Sequence, residues 1–401
     1  MARDNYNFVI VGGGLAGDSA IEGIREMNTA GSILLISKED SLPYDRPPLT
    51  KKLWFGKKHV DDIFLHDLAF YYAHHLDLKL GITAMRIDPS RKIVADNTGN
   101  AYHYDKLLLA TGGEPRRLTI PGGALDGICY YRTLDDYEAT RTRAAHGKSA
   151  VIIGGGFIGS EMAAALCVNG LEVTMIFPED SLCQLVFPAT LSLAVQAHFI
   201  ERGVRILAGD KPALFSRQGQ RFLTRTEKGV EITSDIVIAG IGIQPETALA
   251  ATAQLEIKNG IVVNEYLQTS NSDIYAAGDN AFFPSKALGK RVRMEHWDNA
   301  LNQGKQAGRN MAGAAKPYDY LPYFFSDLFE FGYEAVGEVD ARLKTVTDWQ
   351  EENRKGVIYY LIEDRIRGVM LCNVWGKLDM ARELILKNAS ISEAQLCGTI
   401  R

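Results

Sequence analysis

The chain lacks any apolar run long enough to cross a bilayer as a helix. It also lacks any cysteine pair spaced C-x-x-C or C-x-x-x-x-C. The first absence excludes a helical membrane protein. The second disfavours a disulfide framework, a structural zinc site and a dithiol redox centre. The five cysteines (Cys129, Cys167, Cys183, Cys372, Cys397) are scattered and read as small apolar packing residues in a reducing compartment. Positive charge is not in excess: 44 Lys and Arg stand against 49 Asp and Glu, a net charge of −5. That balance disfavours a nucleic-acid partner. The first strand-like run begins about seven residues in, too early to follow a leader peptide, so a cytoplasmic protein is expected. His74 and His75 are adjacent rather than four apart, so they do not share a helix face, and no metal site is expected.

What is present is ordinary in bulk, with 46% hydrophobic and 23% charged residues. The 401 residues are too many for one core, so two or three domains are expected. The informative feature is a repeat. Val9-Ile10-Val11 reads as a short buried strand, and Gly12-Gly13-Gly14-Leu15-Ala16-Gly17 turns it into a helix. In such a G-x-G-x-x-G turn, Gly12 permits the tight bend, Gly14 lets the backbone approach a pyrophosphate, and Gly17 lets helix and strand pack closely. The helix amides and dipole then face the phosphates. The same unit returns as Val151-Ile152-Ile153-Gly154-Gly155-Gly156-Phe157-Ile158-Gly159. Two cradles predict two bound dinucleotides.

After the first cradle a helix is predicted over 18–27 and a strand over 33–36. The motif calls for a ribose-binding carboxylate about 20 residues beyond the glycines. Superposing the two repeats pairs Glu39 with Glu179, each of which competes with the reading of a solvated loop charge. Residues 42–55 (LPYDRPPLTKKLWF) hold too much proline for a regular element. This basic, aromatic loop, with Arg46 and Lys51, reads either as lying along a cofactor or as solvated surface. A helix is predicted over 65–75. A buried strand then runs into Ala110-Thr111-Gly112, a further close approach of backbone to ligand. The second cradle predicts a helix over 160–169, with Glu161 suiting the dipole in its first turn, and a strand over 173–176. Later strands end in Gly240-Ile241-Gly242 and in Gly278-Asp279. Glu295-His296-Trp297 opens a helix running to about residue 312, and a last helix is predicted over 377–387. Beyond residue 318 the composition turns aromatic with alternating strands, as in a separate α+β domain.

These motifs together, A-T-G, G-I-G-I-Q-P and A-A-G-D with the two glycine turns, resemble the FAD- and NAD(P)-dependent pyridine nucleotide-disulfide oxidoreductase superfamily. R-P-P-L-T-K, E-H-W-D-N-A and the missing reactive disulfide look like its bacterial ferredoxin reductase branch. L-P-Y-x-R-P-P-L-T-K-x-L-W-F, G-G-G-F-I-G-S-E and G-Y-E-A-V-G-E-V-D are also similar to apoptosis-inducing factor. The resemblance implies an α/β fold: two Rossmann-like dinucleotide-binding domains, for FAD and NAD, plus a smaller α+β C-terminal domain covering the flavin. The implied boundaries are 1–115 with 244–318 for FAD, 116–243 for NAD and 319–401 for the C-terminal domain.

The implied activity is transfer of electrons from NADH through FAD to a [2Fe-2S] ferredoxin of an oxygenase system, by a monomer or homodimer. The competing readings are a rubredoxin reductase, an NADH oxidase, or an NADH-responsive redox sensor like apoptosis-inducing factor. By resemblance, Gly12, Gly14, Gly17, Glu39, Arg46, Lys51, Thr111, Gly112, Asp279, Glu295, His296, Trp297 and Phe325 would line the FAD site. Gly154, Gly156, Ile158, Gly159, Glu161, Glu179 and Gly242 would serve NADH. Lys51, Glu161, His296 and Trp297 are the expected catalytic group, with Glu161 pairing to Lys51 and orienting the nicotinamide carboxamide. Core packing is the competing role for Trp297. Glu179 predicts NADH over NADPH, because a carboxylate accepts ribose hydroxyls and repels a 2′-phosphate. Lys51, Lys52, Lys57, Lys58, Arg291 and Arg293 would form a basic rim for an acidic ferredoxin or, equally, plain solvated surface. Three features depart from the family. Its ribose carboxylate falls on Lys38, which has no acceptor, so Glu39 must move in or the contact is lost. Phe325 stands where relatives carry Trp. The targeting segment of apoptosis-inducing factor has no counterpart, so its mitochondrial role is not expected.

Overall fold

The computed structural model describes residues 4–400. The chain divides into two compact units, each assembled from three separated stretches. The first unit combines the chain up to Asp45 with Val60–Glu114 and Gln244–Pro322. Its central strands are parallel and lie in the order Leu76–Lys79, Ile33–Ile36, Asn5–Val11, Ala101–Leu109, Ile274–Ala276. All four side chains of Ile33–Ile36 are buried, as are Leu107, Leu108 and Leu109. Continuous apolar runs of this kind belong to strands covered on both faces, and each buried aliphatic side chain contributes roughly 1.5–3 kcal/mol.

The helix after the first glycine turn, Leu15–Met27, packs on Trp297–Met311 at backbone distance. A Cβ at Gly304 or Gly308 would overlap the carbonyl oxygen of Ala16 or Ala20. Glu22 and Glu26 close the rim of that contact against Lys305 (3.1 and 2.9 Å), and Glu26 also meets Arg309 (2.6 Å).

The second unit combines Arg46–His59, Pro115–Ile243 and the chain from Tyr323 on. Its parallel sheet runs Arg205–Ala208, Glu172–Phe177, Ser149–Ile153, Ile236–Ala239, Ile128–Cys129. An antiparallel three-stranded sheet, Pro212–Gln218, Arg221–Thr226 and Glu231–Ser234, joins its core through Phe215 and Phe222. The C-terminal stretch forms a five-stranded antiparallel sheet in the order Tyr323–Leu328, Phe331–Gly337, Arg365–Cys372, Lys355–Ile362, Lys344–Glu351. The architecture is α/β, with two mainly parallel sheets and a smaller α+β portion.

Several element boundaries shift from expectation for identifiable reasons. The helix predicted over 65–75 is only Leu68–Ala73, because Asp67 caps it, its carboxylate accepting from the Phe70 amide at 2.9 Å. At the other end His75 takes a left-handed φ of 50°. Both cradle helices start three residues earlier than predicted, at Leu15 and Phe157, since Gly14 and Gly156 themselves act as N-caps. The proline-rich loop contains one 3-10 turn, Pro47–Thr50. A short helix, Glu393–Leu396, follows the last predicted one, observed at Leu378–Lys387.

Candidate functional site

The first cradle lies in the first unit. Gly12 adopts φ +121°, and a Cβ there would overlap the Ala110 carbonyl oxygen. A Cβ at Gly17 would meet the Gly12 carbonyl, whereas Gly14 faces open space. Gly14 caps the helix without a side-chain hydrogen bond, so the first-turn amides lack a side-chain acceptor. This is the arrangement that a diphosphate fills. Thr111 donates to the Glu246 carbonyl (2.7 Å) and accepts from Asn280 Nδ2 (2.9 Å), which pins the strand end beside Gly112. Asp279 lies in the adjoining turn, where its carbonyl accepts from Arg293 Nη1 at 3.1 Å. Asn280 Oδ1 and Gln303 Nε2 are buried without a hydrogen-bond partner among the described residues. Buried polar atoms are ordinarily paired, so these two fit a polar group that the chain itself does not supply. The glycine turn, the uncapped helix start and the unpaired amides together fit FAD.

His296 is the N-cap of Trp297–Met311. The residue keeps partial exposure, yet its ring is enclosed, and desolvation holds the imidazole down to about 4 against the opposing charge of Asp279. It is therefore neutral at pH 7. Trp297 donates its Nε1–H to Asp45 at 2.8 Å. Glu295 is exposed and pairs with Arg293 at 2.5 Å. Lys38 points to Glu114 at 3.1 Å, and Glu39 accepts the Tyr44 hydroxyl at 2.5 Å. Glu39 is thus engaged inside its own loop.

The second cradle repeats these features within the second unit. Gly154 has φ +113°, and a Cβ there would overlap the Gly240 carbonyl. Gly156 faces open space, and Gly159 abuts the Gly154 carbonyl. Ile158 is 38% exposed at the helix start. Glu179 follows the next strand, its carbonyl accepting from the Gly209 amide at 2.8 Å. Gly242 takes φ +90° and accepts from the Arg116 amide. Arg46 donates to the Arg132 carbonyl at 2.9 Å.

A buried polar cluster surrounds Glu161. Lys51 Nζ lies 3.0 Å from Glu161 Oε1, and both side chains are less than a tenth exposed. Ser326 Oγ donates to the same oxygen at 2.5 Å, and Thr50 Oγ1 donates to Oε2 at 2.5 Å. Lys51 also sits 4.3 Å from the centre of the Phe325 ring. A charge pair this deep needs further hydrogen bonds to the carboxylate's lone pairs, and the two hydroxyls satisfy two of them. Sequence reasoning named Lys51, Glu161 and Phe325 but missed Thr50 and Ser326. Thr50 stands inside the quoted R-P-P-L-T-K and Ser326 directly follows Phe325, but a hydroxyl carries no periodic signal of its own.

The basic rim is smaller than expected. Lys51 is buried in its pair. Arg291 is turned onto the carbonyls of Val263 and Phe282. Arg293 is held by Asp279 and Glu295. Lys52 and Lys57 remain exposed. Among the cysteines, Cys183 lies in the segment after Glu179, with its Sγ 3.7 Å from the Ser160 hydroxyl. Burial raises the thiols of Cys129 and Cys183 to about 12, which makes both unreactive as thiolates.

The chain is similar to known proteins in sequence and fold. A family model described as pyridine nucleotide-disulphide oxidoreductase matches residues 6–304, and the model for the C-terminal part of mitochondrion-associated apoptosis-inducing factor matches 307–354 and 347–387. The chain is 36% identical to apoptosis-inducing factor 1 of Dictyostelium discoideum, over 97% of this chain and 80% of that protein. It is 36% identical to a rubredoxin-NAD(+) reductase of Pseudomonas putida, over 82% and 86% respectively. The crystal structure of a covalent putidaredoxin reductase–putidaredoxin complex contains a chain that superposes with a TM-score of 0.90 at 32% identity, covering 98% of this chain and 95% of that one. From its paired glycine turns to its C-terminal sheet, the chain belongs to the pyridine nucleotide-disulphide oxidoreductase family.

Proposed function

We propose that this protein is an NADH:ferredoxin oxidoreductase that carries FAD. The observation that supports this most directly is the recurrence of one glycine turn, each time with an uncapped helix start, in a chain whose buried thiols stay protonated. FAD, when bound, supplies the exchange between a two-electron hydride donor and a one-electron acceptor. The chain's own residues bind, orient and set the field.

Gly12, Gly14 and Gly17, with Thr111, Gly112 and Asp279, hold FAD, and the helix starting at Trp297 turns its amides toward negative charge. Neutral His296 adds polarity without charge. Gly154, Gly156 and Gly159 hold the nicotinamide dinucleotide, and Glu179 accepts its adenosine ribose hydroxyls, which favours NADH. Lys51 presents a fixed positive charge. Glu161 holds Lys51 and orients the nicotinamide carboxamide. We assign 1–115 with 244–318 to the FAD domain, 116–243 to the NAD domain and 319–401 to the C-terminal domain.

The acceptor is a [2Fe-2S] ferredoxin and the setting cytoplasmic. No helix among the described residues is long and apolar enough to cross a membrane. Stopped-flow absorbance of the purified flavoprotein tests the reading. Rapid bleaching of the flavin band by NADH, followed by fast reoxidation with a [2Fe-2S] ferredoxin and slow reoxidation with rubredoxin, is the expected result. The similarity to apoptosis-inducing factor over 97% of the chain favours one other reading, an NADH-responsive sensor. A persistent long-wavelength band with a change of molecular size on NADH addition, and no transfer to ferredoxin, would establish that instead.

A further inference from the structure

An ionised carboxylate offers about four acceptor positions, two on each oxygen. In Glu161, Lys51 (3.0 Å) and Ser326 (2.5 Å) occupy Oε1, and Thr50 (2.5 Å) occupies one side of Oε2. Among the described residues one acceptor position is left, on Oε2, and its direction is set by the other three contacts. Those contacts come from two stretches far from Glu161 in sequence, Thr50 lying 111 residues before it and Ser326 165 after.

Each stretch also steadies the partner lysine. Lys51 follows Thr50 directly as the C-cap of the 3-10 turn. Phe325, adjacent to Ser326, sets its ring 4.3 Å and its carbonyl 3.5 Å from Lys51 Nζ. Ser326 is itself fixed, since it pairs with Tyr333 across the antiparallel ladder and is buried. A hydroxyl is the suitable donor at both places: it neutralises none of the carboxylate's charge, and it gives a single proton in one direction. A second cation at either place would leave the carboxylate less able to accept from a neutral amide.

We propose that Thr50 and Ser326 are positioning residues that hold Glu161 so that its one remaining acceptor position receives the carboxamide N–H of a bound nicotinamide. This rests on the role given to Glu161 in the proposed function and adds the device that orients it. The consequence is selectivity for the amide-bearing ring, separate from affinity for the rest of the dinucleotide.

Calorimetric titration of the oxidised holoprotein with NAD+ and with ADP-ribose, which lacks the nicotinamide ring, is the test. Ser326→Ala and Thr50→Val are each expected to weaken NAD+ about tenfold and to leave ADP-ribose within roughly twofold. Thr50→Ser restores NAD+ binding. If Ser326→Ala does not fold, Ser326→Cys keeps the volume while replacing a strong donor with a weak one, and the same split is expected. Equal weakening of both ligands would overturn the proposal, because the hydroxyls would then only support the structure. Unchanged NAD+ affinity in both hydroxyl variants, with weakened NAD+ in Glu161→Gln, would overturn it while leaving Glu161 in its role. Unchanged NAD+ affinity in Glu161→Gln itself would remove the role of Glu161 and the positioning role with it.

Discussion

The two glycine cradles share their turn and differ in what anchors the helix behind it. In the first, the residue after the last glycine is Asp18, which is buried and accepts from the Tyr71 hydroxyl at 2.7 Å, with His66 Nε2 3.3 Å from its other oxygen. In the second, the equivalent position is Ser160, and the buried acid comes one residue later as Glu161, tied to a lysine and two hydroxyls. The first acid is spent on holding its own unit together. The second, in the role proposed for it, keeps an acceptor position for a ligand. A shared turn therefore leaves the same uncapped helix start in both units, and in the proposed roles the next two residues decide whether the helix is only anchored or also reads what is bound.

Substitution within the turns is the harshest way to break this equivalence. Gly12→Ala and Gly154→Ala force a Cβ onto a carbonyl at positive φ, and each is expected to destabilise by more than about 4 kcal/mol, seen in denaturant unfolding and, for Gly12, in loss of bound flavin. Gly14→Ala meets open space and should keep the fold; a loss in Gly14→Ala as large as that in Gly12→Ala would show that the overlap with a carbonyl is not what matters. Next in size is Lys51→Met. It strands Glu161 as a buried charge and is expected to cost about 3–5 kcal/mol, while Lys51→Met with Glu161→Gln should recover most of that in the same unfolding measurement.

Glu179→Ala addresses ligand reading in the second cradle. Removing one charge near an adenosine ribose should narrow the preference for NADH over NADPH in kcat/KM by about tenfold. An unchanged ratio would take Glu179 out of the recognition of the ribose. The smallest effect concerns the first cradle's anchor. Hydrogen bonding to Asp18, aided by the charges of Asp18 and Glu22, raises the His66 pKa above its ordinary value. A group with a raised folded pKa contributes stability fully below its unfolded value, about 6.5, and loses it as pH rises through the folded value. Thermal unfolding should therefore show up to about 1 kcal/mol lost as pH rises above that range, and His66→Gln should flatten the dependence.

Much of the fold was legible because its signals are local. Val9–Val11 and Val151–Ile153 are β-branched runs, and each glycine turn follows directly, so strand, turn and helix lie within about ten residues. Glu161 and Lys51 were legible by residue type within their motifs. The two hydroxyls on Glu161 were not, since each lies more than a hundred residues away. The basic rim is smaller than expected for a related reason. Residue type shows that Arg291 and Arg293 carry charge, but whether that charge faces a partner or the carbonyls of Val263, Phe282 and Asp279 depends on side-chain direction.

By itself the amino-acid sequence determined the two nucleotide seats, because a positive-φ turn and a close backbone approach demand glycine wherever they occur. It also determined the layered α/β architecture, because buried parallel strands demand continuous apolar runs. Only the tertiary structure decided that Asp18 is an anchor, that Glu39 is bound to Tyr44, and that Glu161 keeps a single open acceptor position. A carboxylate's role is set by which donors surround it, and donors distant in the chain reach it only after folding has desolvated the site.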